Sequence, residues 1–282
     1  MTAYQLTEET AWCPGCGNPM IRRAVQQALH ELGLPPEQVV MVAGIGQAAK
    51  MPQYIEMNSF TGLHGRSLPA AIGIKLANTE LTVIAQSGDG DNYGEGGNHF
   101  ISAIRRNINI AHFVHDNQVY GLTKGQASPT TAQGQVTSVQ SGGVKAMPFH
   151  PLAMALVTGA GFVARGFSGD HEQLVTIMKA AIQYKGYALV DILQPCVVWN
   201  KVNTFQWYKK RVQPLDDNHD TSNWDFAFAA ARQWGDVIPT GILYQVEKPT
   251  YDEQYGFITG SVPLVARELA PQQAEPLLQR FY

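Results

Sequence analysis

The chain has 282 residues, of which 15% are charged and 45% are hydrophobic, and its formal net charge is −3. This charge argues against partners such as nucleic acids or anionic membranes. No apolar stretch approaches the roughly 18 residues of a membrane span, and residues 1–12 lack the apolar core of a signal peptide. We therefore predict a cytoplasmic protein, and the small share of charged residues predicts a surface largely covered by other subunits.

Three cysteines stand in two short motifs. Cys13 and Cys16 lie in the sequence WCPGC, where the Pro and Gly between them favour a hairpin that points both thiols at one metal. Cys196 follows an apolar run much later in the chain. In the cytoplasm such thiols are more typical of ligands than of disulfides. The spacing favours a metal site, either iron–sulfur or zinc. The alternatives are a redox dithiol and small buried hydrophobic side chains.

Apolar runs that alternate with helical patterns predict an α/β fold with a parallel sheet. The predicted strands cover residues 39–43, 81–85, 108–114, 162–167 and 188–193. Helices are predicted over 94–106 and 151–158, and three more begin at the expected N-caps Asn18, Ser67 and Asp170. Residues 127–147 are rich in Ser, Thr, Gln and Gly and predict a functional or interface loop.

Two neighbouring strands end in side chains that carry oxygen. Asp89 lies in Gly88-Asp89-Gly90-Asp91 after one strand, and Asn117 follows the next. Ligands of open α/β sheets bind at this edge. Carboxylate and amide oxygens suit a Mg²⁺ ion that also holds ligand phosphates, and the glycines let a diphosphate approach the backbone. The alternative is that Asp89 and Asn117 only form turns.

Two basic side chains are candidates for contacts with a ligand. His64 precedes the helix predicted to start at Ser67, and a helix N-terminus is a natural phosphate site. Lys124 lies just past the predicted carboxyl edge of the sheet, where it can pair with a substrate carboxylate. The alternatives are a structural hydrogen bond for His64 and a solvated surface position for Lys124.

Four sequences carry a resemblance to a known family: GDGD at 88–91, RRN at 105–107, DNQVYGLT at 116–123 and QASPTT at 126–131. They resemble the β subunit of the 2-oxoacid:ferredoxin oxidoreductases, with matching pieces from Trp12 to about Tyr244. The resemblance implies a thiamine diphosphate-binding α/β domain over residues 1–199. Residues 200–282 then form a C-terminal extension that packs on the core or on a partner subunit.

The implied reaction is the coenzyme A-dependent oxidative decarboxylation of a 2-oxoacid, such as pyruvate or 2-oxoglutarate, to acyl-CoA and CO₂. Electrons would leave through an iron–sulfur cluster to ferredoxin. The resemblance also implies a partner α subunit, with or without γ and δ subunits, which supplies the glutamate that activates the cofactor.

The resemblance further assigns roles to individual residues. Asp89, Asn117 and the backbone carbonyl of Val119 would bind Mg²⁺, and Cys13, Cys16 and Cys196 would hold a 4Fe–4S cluster. The segment that contains His64 would face the cofactor. We predict that His64 acts in catalysis together with Lys124, which is assigned from its position and charge. The implied cofactor contacts are Gly44, Ile45, Gly46, Gln47, His64, Gly88, Asp89, Gly90, Asp91, Asn117, Gly121, Leu122 and Thr123.

The chain departs from this family at Gln47, where the family carries its fourth cluster cysteine. Four outcomes are open: a 3Fe–4S cluster, a 4Fe–4S cluster with an unusual fourth ligand, a ligand from a partner chain, or no cluster. We predict the 4Fe–4S cluster, because three cysteines remain in the motif positions. Two other functions are open. One is a subunit of a non-redox thiamine diphosphate-dependent 2-oxoacid decarboxylase without a cluster, and the other is a binding or electron-transfer subunit that has lost catalysis.

Overall fold

The computed structural model describes residues 3–6, 9–216, 218–256, 258, 260, 262–268, 270, 272 and 274–281. Its centre is a sheet of eight strands, in the spatial order β2-β1-β3-β4-β6-β5-β8-β7. The strands are β1 Val39–Ala43, β2 Asn58–Thr61, β3 Thr82–Gly88, β4 Ile110–Asp116, β5 Phe162–Phe167, β6 Tyr187–Leu193, β7 Val212–Pro214 and β8 Ile238–Gln245.

The five predicted strands are confirmed as β1, β3, β4, β5 and β6, and they pair in parallel. Strands β1, β4, β5 and β6 are buried along their whole length, as expected for a sheet covered on both faces. The sheet is mixed, however, because β8 pairs antiparallel with β5. Strands β7 and β8 both come from residues 200–282.

Helices cover the two faces of the sheet. Those described are α1 Asn18–Glu31, α2 Ser67–Ala77, α3 Gly97–Arg106, α4 Pro151–Thr158, α5 His171–Gln183, α6 Phe205–Lys209, α7 Trp224–Arg232, α8 Tyr251–Gln254 and α9 Glu275–Leu278. One hydrophobic core lies under α1 and α5, and a second lies under α2, α3, α4 and α7. In the described part of the chain, no helix is long and apolar enough to cross a membrane.

Three of the predicted helix starts can be compared with the structure. Asp170 caps α5 as predicted, accepting a hydrogen bond from the backbone N–H of Gln173. The predictions for Asn18 and Ser67 are wrong, since each is the first residue of its helix and neither caps it. Both side chains instead make tertiary contacts, Asn18 with His115 and Ser67 with Asn92. The helix predicted over 94–106 begins as a π-helical turn, Gly90–Glu95, and continues as α3.

The candidate site residues follow the carboxyl ends of four strands that lie side by side. Gly44 to Gln47 follow β1, Asp89 follows β3, Asn117 follows β4, and Cys196 lies three residues after β6. Parallel strands place these ends along one edge of the sheet. Motifs far apart in the sequence therefore meet there.

Candidate functional site

A cavity of about 100 Å³ lies at this edge of the sheet. It brings together thirteen of the residues assigned above to cofactor, metal or catalysis. Besides Ala48 and Tyr120, its walls are Ile45, Gly46, Gln47, His64, Gly88, Asp89, Gly90, Asp91, Asn117, Val119, Gly121, Leu122 and Thr123. Gly46 has open space where a side chain would stand, so it leaves room for a ligand.

Asp89 lies at the base of this cavity and is almost completely buried. Its Oδ2 atom accepts hydrogen bonds from the hydroxyls of Ser128, at 2.5 Å, and Thr130, at 2.6 Å. Burial nevertheless raises the pKa of the Asp89 carboxyl. A carboxylate in this position gains most from a bound cation, which offsets the cost of its burial. The carboxyl group therefore fits the predicted Mg²⁺ site.

Asn117 and Val119 supply the other two predicted oxygens. The Asn117 Oδ1 atom accepts a 3.1 Å hydrogen bond from the Val119 backbone N–H, which orients the side chain. Asn200 donates to the Asn117 backbone carbonyl at 3.1 Å and ties this turn to the segment after β6. The donor set of a carboxylate, an amide and a backbone carbonyl is one that Mg²⁺ accepts when phosphates complete its shell.

Asp91 has a different environment from Asp89, although both line the cavity. Its Oδ1 atom accepts hydrogen bonds from the backbone N–H groups of Ile45 and Gly65, each at 2.9 Å. Its Oδ2 atom accepts from the Ser87 hydroxyl at 2.6 Å. A Cβ atom at Gly44 would overlap the Asp91 carboxylate, so Gly44 makes room for this group and does not line the cavity. Asp91 thus ties the loops after β1 and β2 to the end of strand β3.

His64 lies at the mouth of the cavity, and 38% of its side chain is exposed. Its Nε2 atom is 3.5 Å from a carboxylate oxygen of Asp91 and 3.5 Å from one of Glu95. Tyr120 donates a 3.0 Å hydrogen bond to the same Glu95 carboxylate. Two carboxylates therefore position the imidazole beside the space for a ligand.

Lys124 is exposed and follows the last lining residue, Thr123. Its backbone is left-handed, with φ of 84°, an uncommon conformation for a residue with a side chain. The Ser138 hydroxyl donates to the Lys124 carbonyl at 2.7 Å. The long polar loop at residues 127–147 therefore supports the backbone that carries this ammonium group.

The three cysteines line a second cavity, of about 80 Å³. Cys13 and Cys16 form the predicted turn, in which the Cys16 N–H donates to the Cys13 carbonyl at 3.0 Å. Burial, with a smaller contribution from the two other thiols, raises the pKa of the Cys16 thiol to about 11. Across the described residues, no three or more His, Cys, Asp or Glu side chains converge as one metal ion requires.

Two of the three sulfur atoms in this second cavity have a hydrogen-bond donor nearby. Gln194 Nε2 lies 3.4 Å from Cys16 Sγ, and the Trp199 backbone N–H lies 3.5 Å from Cys196 Sγ. Hydrogen bonds of this kind stabilise negative charge on sulfur and tune clusters that sulfur holds. The donor set fits a group bound through thiolates.

The two cavities share a wall made of Gln47, Asn117 and Gly121. The Gln47 backbone carbonyl accepts a 2.8 Å hydrogen bond from the Trp12 indole. Its side-chain Oε1 atom is buried and has no hydrogen-bond partner among the described residues. The residue at the predicted cluster position therefore presents an unpaired oxygen where the two cavities meet.

Behind Asp89 lies a buried polar cluster that the sequence predictions missed. Thr130 Oγ1 lies 2.6 Å from Asp89 and 2.8 Å from Asp116. One hydroxyl has one proton, so both contacts form only when one carboxyl is protonated. Burial, together with Asp191 and Asp89, raises the pKa of Asp116 well above its usual range. Because the carboxyls of Asp191 and Asp89 add to the effect of burial on the pKa of Asp116, the shared proton is favoured on Asp116.

Arg165 and Asp191 complete this cluster from the adjacent strands β5 and β6, where they are register partners. Arg165 donates to the backbone carbonyls of Ala230, Ala231 and Pro239, and so fastens α7 and β8 to the sheet. Tyr93 donates to Asp191 at 2.8 Å. The sequence did contain a signal for this cluster. Arg165 and Asp191 each interrupt an otherwise apolar strand, and a buried charge without a partner is costly, so the two charges could be expected to lie together.

This cluster predicts that the stability of the fold depends on pH. Burial raises the pKa of Asp191 from 3.8 to about 6. The folded chain thus holds a proton that the unfolded chain releases, so stability is lost as pH rises between these values. We expect Asp191→Asn to remove up to about 1.4 kcal/mol per pH unit from this slope. Urea unfolding across this range checks it, and equal slopes for both proteins would contradict it.

Two family models match the chain. One is described as the thiamine pyrophosphate enzyme C-terminal TPP binding domain and matches residues 38–192. The other describes the C-terminal part of the pyruvate ferredoxin oxidoreductase beta chain and matches residues 196–259. The boundary between them falls just before Cys196.

Named relatives and a solved structure agree with these matches. The 2-oxoacid:ferredoxin oxidoreductase subunit beta of Saccharolobus solfataricus is 45% identical over 266 residues, covering 86% of this chain and 84% of the relative. The 2-oxoglutarate oxidoreductase subunit KorB of Mycobacterium tuberculosis is 44% identical, covering 68% of this chain and 52% of the relative. The 2-oxoglutarate:ferredoxin oxidoreductase of Magnetococcus marinus, solved with 2-oxoglutarate, coenzyme A and succinyl-CoA, has a TM-score of 0.91 at 34% identity, covering 99% and 96% of the two chains.

Proposed function

Because the chain belongs to the β subunits of the 2-oxoacid:ferredoxin oxidoreductases, we propose that it binds thiamine diphosphate through Mg²⁺ and conducts electrons through an iron–sulfur cluster. The observation that carries this proposal is the wall shared by the two cavities. A cofactor that generates electrons and a cluster that accepts them must be close neighbours. The geometry suits that arrangement.

Each cavity contributes residues with a defined task in this proposal. Asp89, Asn117 and the Val119 carbonyl hold Mg²⁺, and the cavity lined by Gly88 and Gly90 receives the diphosphate. Cys13, Cys16 and Cys196 hold the cluster, for which we favour the 4Fe–4S type. When bound, thiamine diphosphate supplies the electron sink for decarboxylation of the substrate.

We propose 2-oxoglutarate as the substrate and coenzyme A as the acyl acceptor. Two relatives named for 2-oxoglutarate support this choice, one of them a structure that contains both compounds. Lys124 is an exposed cation that directly follows the cavity-lining Thr123, and we assign it to pair with the distal carboxylate. In this proposal the enzyme also needs a partner α subunit, and ferredoxin accepts the electrons.

We further propose that the protein is cytoplasmic. Its three cysteines are free thiols, as is usual for proteins of that compartment.

The test is anaerobic reduction of a viologen dye by the co-expressed complex of α and β subunits. Pyruvate, 2-oxoglutarate, branched-chain and aryl 2-oxoacids are offered, each with and without coenzyme A. We expect reduction that requires coenzyme A and is fastest with 2-oxoglutarate. Release of CO₂ without reduction of the dye would instead identify a non-redox decarboxylase.

The role of Lys124 gives a separate prediction. We expect Lys124→Ala to raise the KM for 2-oxoglutarate by roughly 10- to 100-fold, since a hydrogen bond to a charged group is worth about 1.5–3 kcal/mol. The KM for pyruvate, which lacks the distal carboxylate, should change much less. Lys145→Ala, at another exposed lysine of the same region, is the control. Equal effects on both substrates would exclude the distal carboxylate contact.

A further inference from the structure

All the thiols of this chain line one cavity, and together they fall one short of a full ligand set. The chain contains three cysteines, and Cys13, Cys16 and Cys196 all line the smaller cavity. The remaining polar lining includes Gln47, whose buried Oε1 atom has no partner among the described residues. The Oε1 atom of Gln194, in the same lining, is likewise buried and without a partner among the described residues. The cavity therefore offers three soft sulfur ligands, and its other unpaired side-chain oxygens are hard and neutral.

A four-iron cubane has four irons, and each needs one ligand from outside the cluster. Thiolates bind these irons strongly, whereas a carboxamide oxygen is a poor match for them. Three thiolates therefore secure three of the irons. From the described lining the fourth iron has only a neutral carboxamide oxygen, such as that of Gln47, or a small molecule from solvent. Gln47 is the candidate that faces the cofactor cavity as well, whereas the Gln194 amide is engaged with Cys16 and Pro195.

We propose that Gln47 leaves one corner of the cluster without a thiolate, so that this corner exchanges its iron and the site holds both four-iron and three-iron clusters. This inference rests on the proposed function, which places the cluster between the three cysteines. Gln47 also lines the cofactor cavity. The exchangeable corner is therefore on the side of the thiamine diphosphate site.

The exchange is an oxidation. The cluster [4Fe–4S]²⁺ contains two Fe³⁺ and two Fe²⁺ ions. When ferricyanide removes one electron and one Fe²⁺ ion leaves to solvent, the product [3Fe–4S]⁺ contains three Fe³⁺ ions and the same four sulfides. Ferricyanide becomes ferrocyanide. Added Fe²⁺ and one electron from dithionite reverse the change.

The experiment uses the complex of α and β subunits purified without oxygen. Iron and acid-labile sulfide are counted and electron paramagnetic resonance spectra are recorded before and after stoichiometric ferricyanide, and again after Fe²⁺ with dithionite. We expect the wild type to lose one iron of four, keep its sulfide and gain the signal of an oxidised three-iron cluster. Fe²⁺ should restore the starting state.

Two substitutions separate the role of Gln47 from general cluster damage. Gln47→Cys adds a thiolate at the open corner, so we expect it to keep all four irons under ferricyanide and to show no three-iron signal. Gln47→Ala adds no thiolate and should lose iron as the wild type does. If Gln47→Ala loses iron as the wild type does, the exchange results from the missing thiolate and does not require the carboxamide.

Several results would overturn the inference. One is a wild type that keeps all four irons, because a fourth ligand from elsewhere then holds the corner. Another is a Gln47→Cys protein that folds, binds iron and still forms three-iron clusters. Viologen reduction on the same samples separates this failure from failure of the proposed function. If a 2-oxoacid drives reduction of the dye and the protein keeps all its iron under ferricyanide, only the proposed iron exchange is wrong. If the protein contains no iron and does not reduce the dye, both the exchange and the proposed function are wrong.

Discussion

Replacing Asp89 with Asn should abolish the Mg²⁺-dependent binding of thiamine diphosphate while leaving the fold intact. The substitution removes the only carboxylate among the proposed Mg²⁺ ligands. Loss of a residue that merely supports a metal ligand costs about 10- to 100-fold in affinity, so loss of the ligand itself should cost at least 100-fold. Titration calorimetry of the complex with thiamine diphosphate and Mg²⁺ measures this change.

Asp89→Asn should lose cofactor affinity without losing stability. Burial raises the pKa of Asp89, so a neutral amide of the same shape avoids the cost of burying a charge. We expect the free energy of unfolding to stay the same or to rise. Asp191→Asn is the matched control, because it also replaces a buried carboxyl but lies outside the cofactor cavity. Unchanged affinity in Asp89→Asn would remove Asp89 from the site.

Asp91→Ala should have the opposite profile and destabilise the fold by roughly 3–5 kcal/mol. It would leave the N–H groups of Ile45 and Gly65 and the hydroxyl of Ser87 without their acceptor. Each buried donor that loses its partner costs about 1–3 kcal/mol. Unfolding in urea measures the loss, and cofactor affinity should fall too, because the released loops line the cavity.

Asp91→Asn is the matched control for this prediction. Its amide oxygen can still accept from both backbone N–H groups, and its NH₂ group can donate to the Ser87 hydroxyl. We therefore expect it to keep most of the stability that Asp91→Ala loses. If the alanine variant unfolds at the same urea concentration as the wild type, Asp91 does not hold the loops after β1 and β2 to the end of β3.

The different roles of Asp89 and Asp91 show which part of the site could be predicted from the sequence and which could not. Its apolar runs predicted the five central strands and therefore the edge at which Asp89 and Asn117 meet. Pattern and spacing treat Asp89 and Asp91 alike, however, since both lie in one GDGD motif. Only the tertiary contacts distinguish them, because the backbone donors to Asp91 come from the loops after β1 and β2.

Other features were hidden because they depend on contacts that have no local pattern. Ser128 and Thr130 reach Asp89 from a loop without periodicity. Asn18 was predicted as a cap from its residue type, but His115 engages its side chain. The antiparallel pairing of β8 with β5 joins residues 76 to 83 positions apart, a separation over which local sequence patterns carry no information.

The order of strands in the sheet has a consequence for synthesis of the chain. Strand β4 is completely buried and lies between β3, which is made before it, and β6, which begins 71 residues after β4 ends. At about 5–20 residues per second, a ribosome needs roughly 4 to 14 s to make that stretch. Throughout this time the growing chain has an open apolar strand edge, the kind of surface that pairs with other chains. Nascent chains are therefore open to pairing with one another at β4 between completion of β4 and emergence of β6.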